Sequence, residues 1–336
     1  MKYPKISVLI PVLNDEKYIQ HSIESIRNQD YRGKIEIILA DGNSTDKTIK
    51  KIKKSADIKV KKREIILLKN PRKNTAIGRN ICLFNSKGKY VLNFSSHMFL
   101  TKRNILTKLV EEIENQPESV IAVGGTVSSP IKENYLQKLT SIIFKSPLAG
   151  ANVLHQNKES NKKIFVKGIA VGLYRAEKLK KEKGFDPKFW VNQDAELHYR
   201  LIELKKYKII LVPGIKIDQA KRPNLKKLVK QMYRYGKSIM LRFYKYPKSL
   251  HPLQLIPSLF VIYCTFLLIS LILYGSLFNI LFKGIILYII AGLISSANVT
   301  KNIGYIIISP IVYLIIHISY GFGTIVGLVK PQVKNR

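Results

Sequence analysis

Carboxylates are scarce in this chain of 336 residues, and they stop early. Lys and Arg number 57 against 22 Asp and Glu, a formal net charge of +35. No acidic residue follows Asp218, and none lies between Glu64 and Glu111. The first absence excludes an internally neutralised C-terminal third and points to polyanionic partners. The second leaves a long internal stretch without a hard-metal ligand. Cysteine is almost missing: Cys82 and Cys264 are the only two. One lies in the polar part and one in an apolar run, so no disulfide is expected and a reducing compartment fits. The N-terminus has too short an apolar stretch for a secretory signal, which keeps the polar part in the cytoplasm.

Long apolar runs are present, and they coincide with the acid-free third. Ser258–Phe282, Gly284–Val299 and Gly304–Val329 are nearly uncharged. A membrane helix needs about 20 apolar residues. The first and third qualify, and the middle one is short enough to be a re-entrant arm. Three spans put the C-terminus outside, and two return it to the cytoplasm. The Lys/Arg cluster before Pro257 holds that side inside. Ahead of these runs, Asn224–Tyr246 alternates Leu225, Leu228, Val229 and Met232 with Lys and Arg. That pattern predicts a basic amphipathic helix at an anionic membrane surface, or else one packed on the polar domain. Lipid is favoured over nucleic acid as the polyanion, since no nucleic-acid motif accompanies the charge.

The first half alternates strands and helices. Ile6–Pro11, Ile35–Ala40, Ile65–Leu68, Tyr90–Phe94 and Val120–Val127 read as strands, Thr75–Ser86 and Lys102–Asn115 as helices. Asn14 is expected to cap a helix after the first strand, and Ser44 or Thr45 one after the second. Residues 130–165 are less regular, and a second compact region runs from Val166 to Pro213. The pattern predicts an α/β fold, a doubly wound and mostly parallel sheet. Ligands then lie beyond the carboxyl ends of the strands, at Val12–Glu16, Asp41–Thr45, Asn70–Asn80 and Ser95–His97. The division expected is a catalytic domain over 1–223, a basic interfacial region over 224–256, and a helical membrane region over 257–330.

Two segments carry a family resemblance. Lys-Ile-Ser-Val-Leu-Ile-Pro-Val-Leu-Asn-Asp-Glu (5–16) and Glu-Ile-Ile-Leu-Ala-Asp-Gly-Asn-Ser-Thr-Asp (36–46) resemble the opening of family 2 inverting glycosyltransferases of the GT-A fold. The later segments are most similar to succinoglycan-type and lipid-linked members. The resemblance implies a nucleotide diphosphate sugar donor, with a lipid-linked or polysaccharide acceptor at the cytoplasmic leaflet. It assigns the nucleoside to Pro11, Leu13, Asn14, Glu16, Asp41 and Asn43. Arg79, in Ala-Ile-Gly-Arg-Asn, either reaches the donor phosphate or structures its loop. Ser95-Ser96-His97 stands where the family has Asp-x-Asp or Asp-x-His holding Mg²⁺ or Mn²⁺. Ser95 and Ser96 therefore line the donor site, and His97 is the one candidate metal ligand.

The segment Phe-Trp-Val-Asn-Gln-Asp-Ala-Glu-Leu-His-Tyr-Arg (189–200) is similar to the family's acidic motif. Asp194 matches the base that takes the acceptor proton, and a helix cap is the plainer alternative. Glu196 supports that base or binds acceptor. Trp190, the only tryptophan, is an acceptor platform or a core residue. Gly168 to Gly172 matches a loop that lets the acceptor approach. Gln231 and Arg234 match an element that holds the departing diphosphate, with an interfacial arginine as the alternative. A non-catalytic sugar-nucleotide or lipid-phosphate binder of the same descent is the rival reading.

Overall fold

The computed structural model describes residues 3–129, 133–149 and 162–330. Contacts divide the chain into two units. One comprises Met1–Pro130 and Gln156–Ala220, the other Ile131–His155 and Lys221–Arg336.

The first unit is built on a single mixed sheet. Its strands are β1 (Ile6–Val12), β2 (Ile35–Asp41), β3 (Arg63–Lys69), β4 (Tyr90–Asn93), β5 (Met98–Leu100), β6 (Val120–Ser128), β7 (Ile164–Phe165), β8 (Val171–Arg175) and β9 (Lys208–Gln219). Their order is β3-β2-β1-β4-β8-β6-β9-β5, with β7 also on β9. The strands β3, β2, β1 and β4 are parallel. Alternation along β1 explains why it is central. Ile6, Val8, Ile10 and Val12 enter one apolar cluster and Leu9 the cluster on the opposite face. A strand buried on both faces reads as a continuous apolar run. The region from Val166 to Pro213 is not a separate compact body. β8 inserts antiparallel between β4 and β6, and β9 pairs parallel with β6.

Helices α1 (Ile19–Arg27), α2 (Thr48–Asp57), α3 (Thr75–Phe84) and α4 (Ile105–Glu114) follow β1, β2, β3 and β5. At the end remote from the strand tips, Glu36 is fully buried. Its carboxylate accepts from Ser7 Oγ at 2.5 Å and the Lys87 N–H at 2.6 Å, and pairs with Lys5. Burial alone raises its pKa. The Lys5 ammonium, the Ser7 hydroxyl and the Lys87 amide outweigh that and hold it below the usual carboxylate range. The group therefore ties the starts of β1, β2 and β4 together.

Two expected caps are corrected. α1 starts at Ile19, and Asn14 adopts a left-handed backbone with φ 54°. Its Oδ1 accepts the Thr45 N–H at 2.8 Å instead of capping a helix. α2 starts at Thr48, whose N–H is taken by Asp46 Oδ1 at 2.9 Å, while Ser44 bonds Asp41. Short Asn and Ser side chains compete for loop amides as readily as for helix amides.

Past α6 (Ala176–Lys181) and α7 (Gln193–Tyr199), both in the first unit, the second unit takes over. It contains α5 (Tyr135–Lys145), α8 (Leu225–Lys245), α9 (Ile256–Leu273), α10 (Gly275–Ala297) and α11 (Ile303–Val329). The last three are long and apolar enough to cross a membrane. The break between the first two falls at Tyr274 rather than near Gly284, so the middle segment is 23 residues and not short. At 1.5 Å per residue it is about 34 Å long.

Part of the apolar face of α8 is covered by protein, while Leu225 and Val229 stay exposed. Leu228 and Met232 share a core with Leu139 and Ile143 of α5 and with Val312, Tyr313 and Ile316 of α11. Glycines let the two helices touch at the backbone. A Cβ at Gly236 would lie 2.0 Å from the Tyr320 carbonyl oxygen, and one at Gly323 2.1 Å from that of Tyr233. Close helix approach through small residues maximises dispersion contact. Gly236→Leu is therefore expected to cost about 1–3 kcal/mol through overpacking, read as a lower melting temperature in detergent. Gly275→Ala, where no atom lies within 4 Å of the added Cβ, should leave it unchanged.

Candidate active site

The carboxyl ends of β1, β2 and β4 converge on one set of loops. Register pairs Pro11 with Ala40 and Val12 with Asp41, so both strands end level. The Asp41 carboxylate accepts from Ser44 Oγ at 2.6 Å and from the Ser44 N–H at 3.1 Å. Ser44 Oγ in turn accepts the Asn14 N–H at 3.0 Å. Glu16 takes the Lys47 N–H at 2.9 Å and gives its own N–H to Asp46. Asn14 and Asn43 both have positive φ, a conformation that Asn tolerates better than most residues. The loops carrying Pro11, Leu13, Asn14, Glu16, Asp41 and Asn43 are thus one cross-bonded body, and Leu13 is exposed on it.

The Ser95–His97 loop joins this body through Asp15, which the sequence did not single out. Asp15 Oδ2 accepts Ser96 Oγ at 2.7 Å and the Leu13 N–H at 3.2 Å. The only prior signal was its place between Asn14 and Glu16. His97 Nε2 faces the Gln219 amide nitrogen at 3.3 Å, and the His97 carbonyl accepts the Ala220 N–H. Among the described residues no three His, Cys, Asp or Glu side chains gather as metal ligands. A hard cation wants several oxygen ligands, and the side chains here, one carboxylate committed to Ser96 and one imidazole turned to Gln219, do not fit a protein-built cage.

α3 links the end of β1 to the segment that leads into α7. Asn74 caps it, accepting from Ala76 and Ile77. Gly78 allows close approach: a Cβ there would stand 3.0 Å from Pro11 Cβ. Arg79 is buried with its guanidinium carbon 5.2 Å from the Phe185 ring centroid. Asn80 clasps Phe185 by both backbone groups, donating to its carbonyl at 2.7 Å and accepting its N–H at 2.8 Å. Asn74 Nδ2 adds a bond to the Pro187 carbonyl at 2.8 Å. The 185–187 segment leads directly into Trp190, which is half-buried, and α7.

Asp194 sits in the first turn of α7, its Oδ1 taking the Ala195 N–H at 2.9 Å. One turn on lies His198, fully buried. Its Nε2 is 2.7 Å from Tyr174 Oη, and a Cβ on Gly168 would come 2.9 Å from its Nδ1. Burial pushes the His198 pKa down to about 4. The Asp194 charge works against that and the Arg79 charge with it. The imidazole is therefore neutral beside the acid, and Asp194, Arg79 and His198 form one electrostatic cluster. Sequence reading missed His198 and Tyr174; the i, i+4 spacing from Asp194 was the available signal.

Three more of the expected site residues have defined places. The Glu196 side chain is wholly buried and paired with Arg200, at 3.2 Å from Nε. That pairing supports α7. Gln231 and Arg234 belong to α8 in the second unit. Gln231 bonds Tyr235 Oη at 2.9 Å and receives Arg222 Nε at 3.1 Å, and Arg234 is exposed.

Comparison with known proteins shows the family and the fold. Residues 7–181 match the family "Glycosyl transferase family 2", and the chain belongs to that family. It is a glycosyltransferase, and its fold is of the GT-A kind. It is 30% identical, over 97% of both chains, to the dolichyl N-acetyl-α-D-glucosaminyl phosphate 3-β-D-2,3-diacetamido-2,3-dideoxy-β-D-glucuronosyltransferase of Methanococcus voltae. It is 25% identical to the succinoglycan biosynthesis protein ExoA of Rhizobium meliloti, over 71% of this chain and 70% of that protein. The mannosyltransferase PcManGT of Pyrobaculum calidifontis, solved with GDP-Man and Mn²⁺, has a TM-score of 0.60. It is 16% identical, over 98% of this chain and 88% of that one, and shares the fold.

Two outcomes follow from the α3 clasp and the buried imidazole. Asn80→Ala removes both bonds to Phe185 and leaves that backbone unpaired, at a cost of about 1–3 kcal/mol; denaturant unfolding measures it. His198 binds its proton more weakly folded than unfolded, so its stabilising contribution is full above the unfolded pKa near 6.5. It is lost as pH falls from there toward about 4. Thermal unfolding across that window should show a falling melting temperature, with a shallower fall in His198→Gln.

Proposed function

We propose that this chain transfers a sugar, with inversion, from a nucleotide diphosphate sugar to a lipid-linked acceptor at the cytoplasmic leaflet of the cell membrane. The observation that carries the reading is α3, which touches Pro11 of the donor loops on one side and clasps the segment before Asp194 on the other. A donor bound on the β1 and β2 loops would lie on the same body that fixes the acid. The likeness of the whole chain to a transferase acting on a dolichyl phosphate-linked sugar, together with the apolar helices, supports a lipid-linked acceptor. A polysaccharide acceptor is the second reading, supported by the likeness to a succinoglycan biosynthesis protein.

In this reading the nucleoside rests against Pro11, Leu13, Asn14 and Glu16 and against Asp41 and Asn43, with Ser95 and Ser96 beside the diphosphate. The acceptor hydroxyl approaches along Trp190 and loses its proton to Asp194. Its oxygen bonds the anomeric carbon from the far face as the bond from that carbon to the diphosphate oxygen breaks. The nucleotide diphosphate leaves with that electron pair, and the proton remains on Asp194. If a Mg²⁺ or Mn²⁺ ion takes part, the donor diphosphate would hold most of it, with His97 as the protein ligand.

The basic residues ahead of α9 favour a cytoplasmic start for the apolar helices that follow. Nucleotide release from UDP-, GDP- and dTDP-sugars, with membrane lipid extract as acceptor, tests the assignment. Asp194→Asn is expected to lose roughly 10²–10⁴-fold in rate while still binding the nucleotide. Release that proceeds at the wild-type rate in Asp194→Asn would remove Asp194 from the mechanism.

A further inference from the structure

Three helices are apolar and long enough to cross a bilayer, but α11 has a neighbour that a crossing helix could not keep. α8 runs beside it in the same direction for most of its length. Leu228 and Met232 pack with Val312, Tyr313 and Ile316. Gly236 abuts Tyr320 and Thr324, and Gly327 abuts Lys237. At the far end Tyr244 Oη donates to the Leu328 carbonyl at 2.7 Å. The start of α11 is held by α5, where Tyr135 Oη donates to the Gly304 carbonyl at 3.0 Å and its ring lies 4.7 Å from that of Tyr305.

The outer face of α8 is cationic. Lys226, Lys227, Lys230 and Arg234 are exposed there, and no carboxylate follows Asp218 in the chain. A perpendicular α11 would carry these charges down through the hydrocarbon beside it, where charged side chains are strongly disfavoured. The exposed residues of α11 suit another placement. Ile307, Ile311, Ile318 and Phe322 are exposed, and their spacing sets them on one stripe, opposite the residues that meet α8. The α9–α10 hairpin differs. α11 meets it at its open end, through Pro257 and Phe260 on α9 and through Tyr288 and Gly292 on α10.

We infer that α11 lies in the plane of the membrane surface, its Ile307–Phe322 stripe sunk into the acyl boundary and α8 above it, while only the α9–α10 hairpin penetrates the bilayer. An in-plane helix with one apolar stripe is a stable way to meet a leaflet. Both ends of α11 then stay on the face that carries α8. The cations of α8 point away from the lipid, toward the water through which phosphorylated ligands arrive.

Impermeant maleimide labelling of sealed vesicles of known orientation tests this. Lys226→Cys, Lys301→Cys and Lys330→Cys are each made with Cys264→Ser; Cys82 is buried. The expected result is labelling of all three from the same face before permeabilisation. Labelling of Lys301→Cys and Lys330→Cys from opposite faces would overturn the inference. Nitroxides at Ile307, Ile311, Ile318 and Phe322 give a second readout. Uniform depth, from oxygen against nickel-chelate accessibility, supports the in-plane helix, and a depth maximum in the middle overturns it. The inference rests on the membrane anchoring proposed above, which liposome flotation of the wild-type protein reads separately. Failure to float overturns the anchoring and this placement together, whereas opposite-face labelling of a floating protein overturns the placement alone.

Discussion

The pair of hydrogen bonds between the Asn80 side chain and the Phe185 backbone joins partners 105 positions apart. Much of the candidate site depends on it. On one side of Asn80, Gly78 presses α3 against Pro11 at the tip of β1. On the other, the clasped segment delivers Trp190 and α7. Without the clasp, the tip of β1 and α7 would lose one of the side-chain tethers that link them through α3. Asn74 doubles the tether through Pro187 while capping the same helix, so helix start and site geometry share one residue. Such dual use is economical because a buried side-chain amide has both donors and an acceptor to satisfy.

Charge is distributed unevenly, and that asymmetry organises both units. In the first, few carboxylates are available, and several are fully used: Glu36 on three partners, Asp41 on Ser44, Asp15 on Ser96, Glu196 on Arg200. A short supply of acids in a strongly basic chain makes each one a node. In the second unit acids are nearly absent, and lysine-rich faces are left to solvent or anionic neighbours. The replacement of the expected Asp-x-Asp by Ser95-Ser96-His97 belongs to the same pattern. Asp15 reaches into that loop, but as a hydrogen-bond acceptor for a serine.

Much was legible before any coordinates. The strand tips carrying Pro11 and Asp41 follow from apolar runs that end at loop-forming residues, and a parallel pair places such ends side by side. The amphipathic α8 and the apolar runs follow from periodicity and composition. The misread features share a cause. Asn14 and Ser44 have side chains that cap a helix or bond a neighbouring loop equally well, and the choice lies with a partner in another segment. The break at Tyr274 was obscured because Lys283 is the more conspicuous residue in an otherwise apolar run.

The sequence by itself therefore determined the elements, the family and the apolar helices after Pro257. These rest on local backbone hydrogen bonding and on periodic burial, which near neighbours dictate. Tertiary structure alone decided that Arg79 and His198 share a cluster with Asp194, that Glu196 is buried on Arg200, and that Leu228 and Met232 of α8 pack against α11. Those outcomes depend on contacts between distant segments. Burial, desolvation and helix crossing are properties of two surfaces together, and neither surface announces its partner.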